Sequence, residues 1–487
     1  MNEKPLVTKM REEYKDFGGL SLIYGLIFAF CLYKNMHGIT FPICIAVTIV
    51  FFYLFMKKIN YKLQKKSILY IIGMILLGIS TSLTTSFFLH FFNMIGILLL
   101  FFGFMISQFY DDSTWTFTSY LSKIFLLGGA IVSSFYMPYS HGIQYLKTDE
   151  KNKNKSQMLA IITGVGIAII CLSVIFPLLL KSDVIFSKMF SDLIKSADLI
   201  NIFGILITIM IGFTCAYAVF GSLCKYDLNK ETTRKVKVYN PVIGITFTSM
   251  VSLVYVVYSG IQIAYLFMRI ESGLPENVTY AEYARSGFWE LLFVSIINFI
   301  IVLLCNCLFE ENIALKITLT IISGCTFIMI FSAAYRMGMY INVYHLTLLR
   351  ILVIWGLIVI AFIMLGTIVN IYKKKIPLFR FIIFVVSILY ICLSFSRPDE
   401  IIARYNIEHN QSMNQDDIYY LLYNLSEDAA PYIAGVEFEQ VINNDEYFQE
   451  KLSDYFEEIT NEEITFRKIN YSAVRAQKIA KQYLGTR

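Results

Sequence analysis

Long apolar stretches alternate with short polar connections from the start of the chain to residue 396. About 20 apolar residues cross the ~30 Å hydrocarbon core of a bilayer as a helix, because only a helix satisfies its own backbone hydrogen bonds in lipid. A further run at 121–137 is short and closes at Pro138, so it is compatible with crossing the membrane, re-entering it or lying flat on it. The pattern therefore predicts spans at 18–33, 39–56, 68–87, 91–109, 158–180, 200–223, 241–268, 287–308, 316–334, 348–372 and 379–396.

The hydrophobic pattern changes at Arg397, where the long apolar runs end. Beyond it, apolar residues recur at helical spacing within 416–425, 445–459 and 472–484, with charged residues between them, as in water-soluble helices. About 90 residues can bury a modest core of their own. We therefore expect an all-α protein, a polytopic transmembrane helix bundle of about 11–12 spans with a small helical soluble C-terminal domain.

Three regions follow from this pattern. Residues 1–157 contain N-terminal transmembrane helices and the short run at 121–137, 158–396 form a transmembrane core, and 397–487 form an acidic helical tail. Within the core, 181–199 carries apolar residues at helical spacing on one face and charged residues on the other. This segment is predicted to be an interfacial helix, which either links two spans or covers a cavity as a lid.

Charge is divided unevenly along the chain. Residues 397–487 carry 9 basic and 17 acidic residues, whereas the rest of the chain carries a net charge of +13. Basic residues concentrate at 57–66, 147–155, 225–237 and 373–375. Since cytoplasmic loops collect Lys and Arg, these four connections share the cytoplasmic side only if 121–137 does not cross. That gives eleven crossings, a cytoplasmic N-terminus and an extracytoplasmic C-terminal domain; a crossing at 121–137 would place the first cluster opposite the other three.

The residue pattern does not point to metal, nucleotide or redox chemistry. The nine Cys form no C-x-x-C pair and lie in or beside apolar runs, the five His lack ligand spacing, and no glycine-rich phosphate-binding motif occurs. No cofactor, metal site or catalytic residue is predicted. The acidic tail argues against nucleic acid as a partner, because it would repel phosphates.

Polar and aromatic residues gather in segments that share one membrane face. The segments 181–199, 269–286, 335–347 and the tail are each separated by two predicted spans, so the chain returns to the same side each time. Several polar residues in these segments are arginines, and arginine side chains suit an anionic ligand such as a lipid phosphate or a carboxylated envelope component. They are equally compatible with interfacial anchors or with buried ion pairs. The candidate polar cluster comprises Tyr280, Glu282, Tyr283, Arg285, Glu290, Arg336, Tyr340, Tyr344, Arg350, Arg404, Tyr405 and Asn406.

These ordered motifs resemble a group of bacterial membrane proteins known as the domains of unknown function DUF4153 and DUF4173. The resemblance rests on 280–285, 287–291, Arg336 to Arg350, 402–406, and the tail motif at 420–422 and 426–431. Two positions depart from the pattern, Ser286 where a second Arg is usual and His345 where a Gly is usual. The resemblance implies an integral membrane protein of the bacterial cell membrane, and it implies no reaction.

Three functions remain open from the sequence. The first is a non-enzymatic envelope sensor or scaffold, whose partners are the lipid bilayer, an anionic lipid or envelope ligand, and a protein that binds the C-terminal domain. The second is a transporter or lipid flippase, which needs broken or charged helices near mid-membrane. The third is a membrane-embedded transferase acting on a lipid-linked anionic substrate, with Glu282 or Glu290 as its base.

Overall fold

The computed structural model describes residues 5–110, 115, 117–148, 197–225, 239–267, 287–373, 377–409, 415–435 and 446–485, with short stretches between 164 and 188. Regular structure in these residues is helical, apart from an isolated bridge between Tyr239 and Phe309. Nine helices are long and apolar enough to cross a membrane among the residues described, and a bent pair adds a possible tenth. The predicted fold class, a polytopic helical bundle, is confirmed.

The membrane-region helices are α1 (Pro5–Glu12), α2 (Tyr14–Leu32), α3 (Thr40–Lys58), α4 (Ile68–Thr81), α5 (Phe87–Phe109), α6 (Phe117–Val132), α7 (Met137–Thr148), α8 (Ala197–Lys225), α9 (Pro241–Ile261), α10 (Phe288–Leu308), α11 (Ile313–Tyr344), α12 (Leu348–Tyr372) and α13 (Leu378–Phe395). The helix α9 continues as a π-helical turn over Gln262–Phe267. The tail contributes α14 (Pro398–His409), α15 (Gln415–Tyr423), α16 (Ala430–Ile433), α17 (Glu446–Asn461) and α18 (Tyr471–Gly485).

Contacts between connections define the two ends of the bundle. At one end the α2–α3 connection (33–39), the α4–α5 connection (82–86) and the α11–α12 connection (345–347) all touch the tail, and we call it the docking end. At the other end, Lys58 pairs with Asp16 at 2.6 Å and Gln64 bonds to Gln108. This second end carries the exposed basic residues of the α3–α4 connection, and we call it the basic end.

The bent pair α6–α7 has both outer ends at the basic end. Tyr120 of α6 packs on Phe379 at the start of α13, with ring centroids 4.5 Å apart. Tyr145 of α7 packs on Tyr14 at the start of α2, with centroids 6.0 Å apart. The two helices bend by 42° at their junction. Both outer ends of the pair therefore lie at the basic end, and a pair that does not cross the bundle is the arrangement that keeps all four basic connections on one side.

The two largest buried apolar clusters divide the bundle into halves. The N-terminal half packs α1–α8 around a core that includes Phe52, Phe55 and Phe220. Its tightest crossing joins α2 to α8, where a Cβ atom on Gly25 would lie 2.6 Å from the carbonyl oxygen of Ile209. Small residues allow such close backbone approach in lipid. The C-terminal half packs α9–α12, and α13 lies against both α4 and α12, so it joins the halves.

The tail continues the core of the C-terminal half. Ile402, Leu421 and Phe456 from three tail helices are buried in the same cluster as Met337 and Leu357 of α11 and α12. The predicted amphipathic helices at 416–425, 445–459 and 472–484 correspond to α15, α17 and α18. Their apolar stripes face one another and the bundle, so the tail is seated on the docking end through a continuous apolar core.

Two element boundaries differ from the sequence prediction. The span predicted at 68–87 ends at Thr81, because 82–86 leaves the helix to bond the tail. The span predicted at 316–334 runs to Tyr344, so most of the predicted segment 335–347 is helix. The predicted interfacial helix 181–199 is described only in part. There the Asp183 carboxylate accepts hydrogen bonds from the backbone amides of Ile185 and Phe186, which starts a helical turn. Residues 189–196 and most of the predicted span 158–180 lie outside the described residues.

Candidate functional site

Arg336, the most buried member of the predicted polar cluster, lies near the docking end of α11. Its side chain is only 4% exposed, and its guanidinium donates a 3.1 Å hydrogen bond to the Gln262 side-chain oxygen. The same oxygen accepts from the Ser332 hydroxyl at 2.6 Å. The π-helical turn of α9 presents Gln262 to both donors, so a charge in the membrane region is met by a polar partner, as low-dielectric surroundings require.

Glu290 and Arg336 flank Gly287, which begins α10 in the left-handed conformation with φ of +80°. A Cβ atom at this position would lie 3.8 Å from an Arg336 nitrogen and 4.0 Å from a Glu290 oxygen. The Glu290 side chain is exposed. Tyr280, Glu282, Tyr283 and Arg285 lie outside the described residues.

The Arg350 side chain caps the C-terminal end of α11. Its guanidinium donates to the main-chain carbonyls of Tyr344 and His345 and lies 4.7 Å from the ring centroid of Tyr340. The rings of Tyr340 and Tyr344 are 4.7 Å apart. Cation–π contact and carbonyl capping together hold the turn at which the chain reverses into α12.

The three candidates on α14 point to different partners. Arg404 is exposed and pairs with Glu408 one turn on, at 2.9 Å. The Tyr405 hydroxyl donates to Asn342 at 3.2 Å, whereas the buried Asn406 amide exchanges two hydrogen bonds with the backbone of Leu346. The structure therefore brings Asn406 and Tyr405 to the end of α11, and it keeps Arg404 at the surface, apart from Arg336.

A cavity of about 200 Å³ lies beside this turn, between the α11–α12 connection and α15. Its walls include Tyr344, Asn406 and Tyr420, together with the carboxylates of Asp416 and Asp417. The cavity lies at the seam between tail and bundle. Acidic and aromatic groups line it, so it does not have the arginine-rich character predicted for this face.

A second set of contacts ties the tail to the N-terminal half. The Asp428 carboxylate, 1% exposed, accepts from the Thr84 hydroxyl, the Thr85 amide at 2.8 Å and the Thr85 hydroxyl at 2.9 Å. The Asn470 amide donates to the main-chain carbonyls of His37, at 3.0 Å, and Thr84, at 2.9 Å. We call Asp428, Asn470 and the connections 33–39 and 82–86 the clasp.

Backbone bonds extend the clasp on both connections. The Ile39 amide donates to the Ile469 carbonyl at 2.8 Å, and the Tyr471 amide donates to the Ser82 carbonyl at 3.0 Å. Arg467 bonds to the Phe30 carbonyl at 2.8 Å at the lipid edge of α2. Since these partners are far apart in the chain, each bond closes a long loop and fixes the tail's position on the bundle.

Acidic side chains crowd the seam next to the clasp. Burial raises the pKa of Glu427 to about 7, and the neighbouring Glu462 carboxyl adds to the rise. Burial also raises the pKa of Asp399, against hydrogen bonds from Ser426 and Ser86 that lower it. Glu400 lies farther out and accepts from Arg397 at 3.1 Å and Arg475 at 2.9 Å. The ionisation of Glu427 therefore changes near neutral pH.

Sequence reasoning missed most of the clasp. Asp428 falls within the tail motif 426–431, so the resemblance marked its segment without assigning it a contact. Asn470, Thr84 and Thr85 are ordinary polar residues in connections and give no signal in a single sequence. Among the described residues, no group of three or more His, Cys, Asp or Glu side chains is placed to hold a metal ion.

Comparison with known proteins gives one match. No curated protein and no solved structure matches the chain. The family described as "Domain of unknown function (DUF4153)" matches residues 71–436, which extend from α4 to the end of the tail motif. The match covers α4 through α16, including the joint between the bundle and the tail. The chain therefore belongs to the DUF4153 family, and it is a multi-pass helical membrane protein of that family.

Proposed function

We propose that the protein is an envelope sensor or scaffold, in which the tail is fastened across the two halves of the bundle and its position carries the signal. One observation carries this proposal: the tail is attached in two chemically different ways. It shares an apolar core with the C-terminal half, and it holds the N-terminal half through the hydrogen bonds of the clasp. A domain attached in this way stays bound to the C-terminal half while its hydrogen bonds to the N-terminal half form or break.

The apolar core and the clasp differ in how readily water or a ligand can replace their contacts. Burying apolar area stabilises by about 25 cal/mol per Å², and nothing in water replaces that contact. A hydrogen bond contributes only about 0.5–1.5 kcal/mol net, because water or a ligand can take the place of either partner. The clasp is therefore the contact that a ligand, a proton or a partner protein can open, while the apolar core keeps the tail in place.

The ligand that we propose for such a sensor is anionic, either a lipid headgroup or a carboxylated envelope component. Arg336 is buried at the docking end, beside the N-terminal end of α10, where the helix dipole favours negative charge. The partner that we propose for the scaffold is a protein that binds the exposed face of the tail. In this proposal the membrane is the bacterial cell membrane, with the N-terminus cytoplasmic and the tail outside.

The test compares chromosomal variants in the organism that encodes the chain. We expect Asn470→Ala and removal of 413–487 to reproduce the phenotype of a gene deletion, whereas Glu290→Gln remains close to wild type. Quantification of the protein in the membrane fraction controls for loss of folding. If Glu290→Gln is null and Asn470→Ala is silent, chemistry at Glu290 is required, and a transferase replaces the sensor or scaffold.

A transporter or flippase is the second candidate, and the bent pair α6–α7 favours it. Transporters use broken helices at their substrate sites, and the π-helical turn at Gln262–Phe267 is a second interruption. Under this alternative, substitutions at Gly128 or Gln262 abolish function with the clasp intact. Under the proposed function they are milder than Asn470→Ala.

A further inference from the structure

A lateral cavity of about 360 Å³ lies between α4, α5 and α13. Its walls are mostly apolar, and they include Gly73, Leu100 and Ile391. Leu69 and Phe384 on its rim are 61% and 49% exposed, so the cavity opens sideways into the lipid. Its volume falls within the roughly 300–1,000 Å³ that is usual for ligand sites.

Two basic side chains, Lys66 and Arg380, lie at one end of this cavity, and its described lining contains no acidic residue. Lys66 precedes α4 and Arg380 lies in the first turn of α13, so both belong to the basic end. Lys66 donates to the Tyr110 carbonyl at 3.3 Å, which holds its ammonium at the mouth. Basic pockets between spans on the cytoplasmic side are known to bind anionic lipid headgroups.

The length of the cavity matches one leaflet. Its lining on α13 runs from Arg380 to Ile391, eleven positions or about 16 Å at 1.5 Å per residue. That is about half of the ~30 Å hydrocarbon core. A ligand with its charge at Lys66 and Arg380 therefore extends to the middle of the bilayer, which is the reach of one acyl chain.

We propose that this cavity binds an anionic phospholipid, with its phosphate between Lys66 and Arg380 and one acyl chain along Gly73 and Ser387. An anionic lipid fits this cavity because its phosphate complements the basic charge at the mouth and one acyl chain matches the one-leaflet length of the apolar walls. A second cavity, of about 420 Å³ between α2, α3, α5, α6 and α8, is lined without any charged side chain. It provides an internal comparison, because it has no headgroup site.

The experiment is a lipid titration of the full-length protein by native mass spectrometry. The probes are dioleoyl phosphatidylglycerol and dioleoyl phosphatidylcholine, which share acyl chains and differ in net charge. We expect the wild type to prefer the anionic lipid. The double variant Lys66→Gln/Arg380→Gln should lose about 30-fold of that preference, since each basic group near a membrane surface contributes about fivefold.

The matched control is Lys62→Gln/Lys65→Gln, which removes the same charge from exposed positions of the same connection outside the cavity. This control should keep the preference. Equal losses in the two double variants would mean general attraction to a basic surface and would overturn the site. The charge-conserving Lys66→Arg/Arg380→Lys should retain binding, and it remains informative if the neutral variant does not fold.

A fourth variant tests the acyl chain. Ser387→Phe fills the cavity and should lower binding of both lipids, while Lys66 and Arg380 are kept. Unchanged lipid binding by Ser387→Phe would place the chain elsewhere, and the proposal would fail. Glycerophosphate, which has the headgroup without the chains, should not displace the lipid; displacement would show a plain anion site instead.

Discussion

The side-chain amide of Asn470 donates a 2.9 Å hydrogen bond to the main-chain carbonyl of Thr84, 386 positions earlier in the chain. Asn470 is 1% exposed, and its second amide contact reaches the carbonyl of His37 at 3.0 Å. One side chain thus fastens the start of α18 to two connections of the N-terminal half. Its oxygen also accepts from the Ser472 amide at 3.0 Å, so the same residue begins the helix that it anchors.

Replacing Asn470 by Ala should loosen the tail without unfolding the bundle. The carbonyls of His37 and Thr84 lose a buried donor, and each unsatisfied group costs about 1–3 kcal/mol. Hydrogen exchange of the full-length protein in nanodiscs should show faster exchange in 461–485, with α10–α12 unchanged. The exposed Asn461→Ala is the matched control. Equal protection of α18 in Asn470→Ala and wild type would contradict the role of the clasp.

Docking of the tail should strengthen as the pH falls from about 7 toward 4.5, through ionisation of Glu427. Its pKa in the folded protein, about 7, lies above its ordinary value of 4.5, because burial disfavours the charged form. The folded state therefore binds more protons in this window, so the contribution of Glu427 is greatest below pH 4.5 and is lost as the pH rises through 7. Thermal unfolding midpoints measured between pH 4.5 and 7 report this change in stability.

The variant Glu427→Gln separates this group from the others that titrate. The pKa of His37 in the α2–α3 connection is lowered by burial, so its contribution has the opposite sign and is lost as the pH falls. Glu427→Gln should be more stable than wild type at pH 7.5 and should remove part of the pH slope, while the exposed Glu463→Gln should not. A slope that survives Glu427→Gln unchanged would exclude Glu427 as its source.

His345 occupies a backbone conformation that favours glycine, with φ of +64° and ψ of 177°. The family resemblance implies a Gly at this position, which these backbone angles would favour. His345→Gly should be about 1–3 kcal/mol more stable than His345→Ala, because both lack the imidazole and only Gly adopts these angles readily. Chemical unfolding in detergent micelles measures the difference. Equal stability of the two variants would show that the turn relaxes without cost.

The α2–α8 crossing should tolerate no side chain at Gly25. A Cβ atom there would lie 2.6 Å from the Ile209 carbonyl and 3.0 Å from the Phe213 amide, both on backbone that cannot rotate away. Gly25→Val should therefore separate the helices and lower the yield of folded protein. Gly19→Val on the same helix meets nothing within 4 Å and is the matched control. Size-exclusion chromatography of both variants measures the fraction of folded protein. A monodisperse Gly25→Val would refute the close crossing.

Most of the spans could be predicted from the sequence, because each is set by local hydrophobicity. The sequence also located the three amphipathic tail helices, whose stripes repeat at helical spacing. It did not predict that 82–86 leaves the helix, since the reason is Asp428, more than 300 positions away. The candidate cluster combined residue type with segments expected to share one membrane face. A single sequence cannot tell that Arg404 pairs locally while Asn406 bonds to Leu346.

The domain division at residue 158 stays a prediction, and contacts explain why hydropathy cannot decide it. The helix α8 follows that boundary, yet it packs on α2 through Gly25 and Gly212. The binding partner of a helix in lipid is chosen by small residues and shape, because every face is apolar. Tertiary neighbours of this kind are not encoded in the hydrophobic pattern.

Tag insertions should report the same side of the membrane on both flanks of the bent pair α6–α7. Accessible peptide tags after Asn60, after Thr148 and after Glu311 all fall at the basic end, whereas a tag after Gly485 falls in the tail at the docking end. We expect the first three to be labelled together, from the cytoplasmic side by the Lys and Arg rule, and the fourth from the other side. Selective labelling before and after permeabilisation of intact cells measures this. Opposite labelling at Asn60 and Thr148 would mean that α6–α7 crosses the bilayer, and the chain would then have twelve spans.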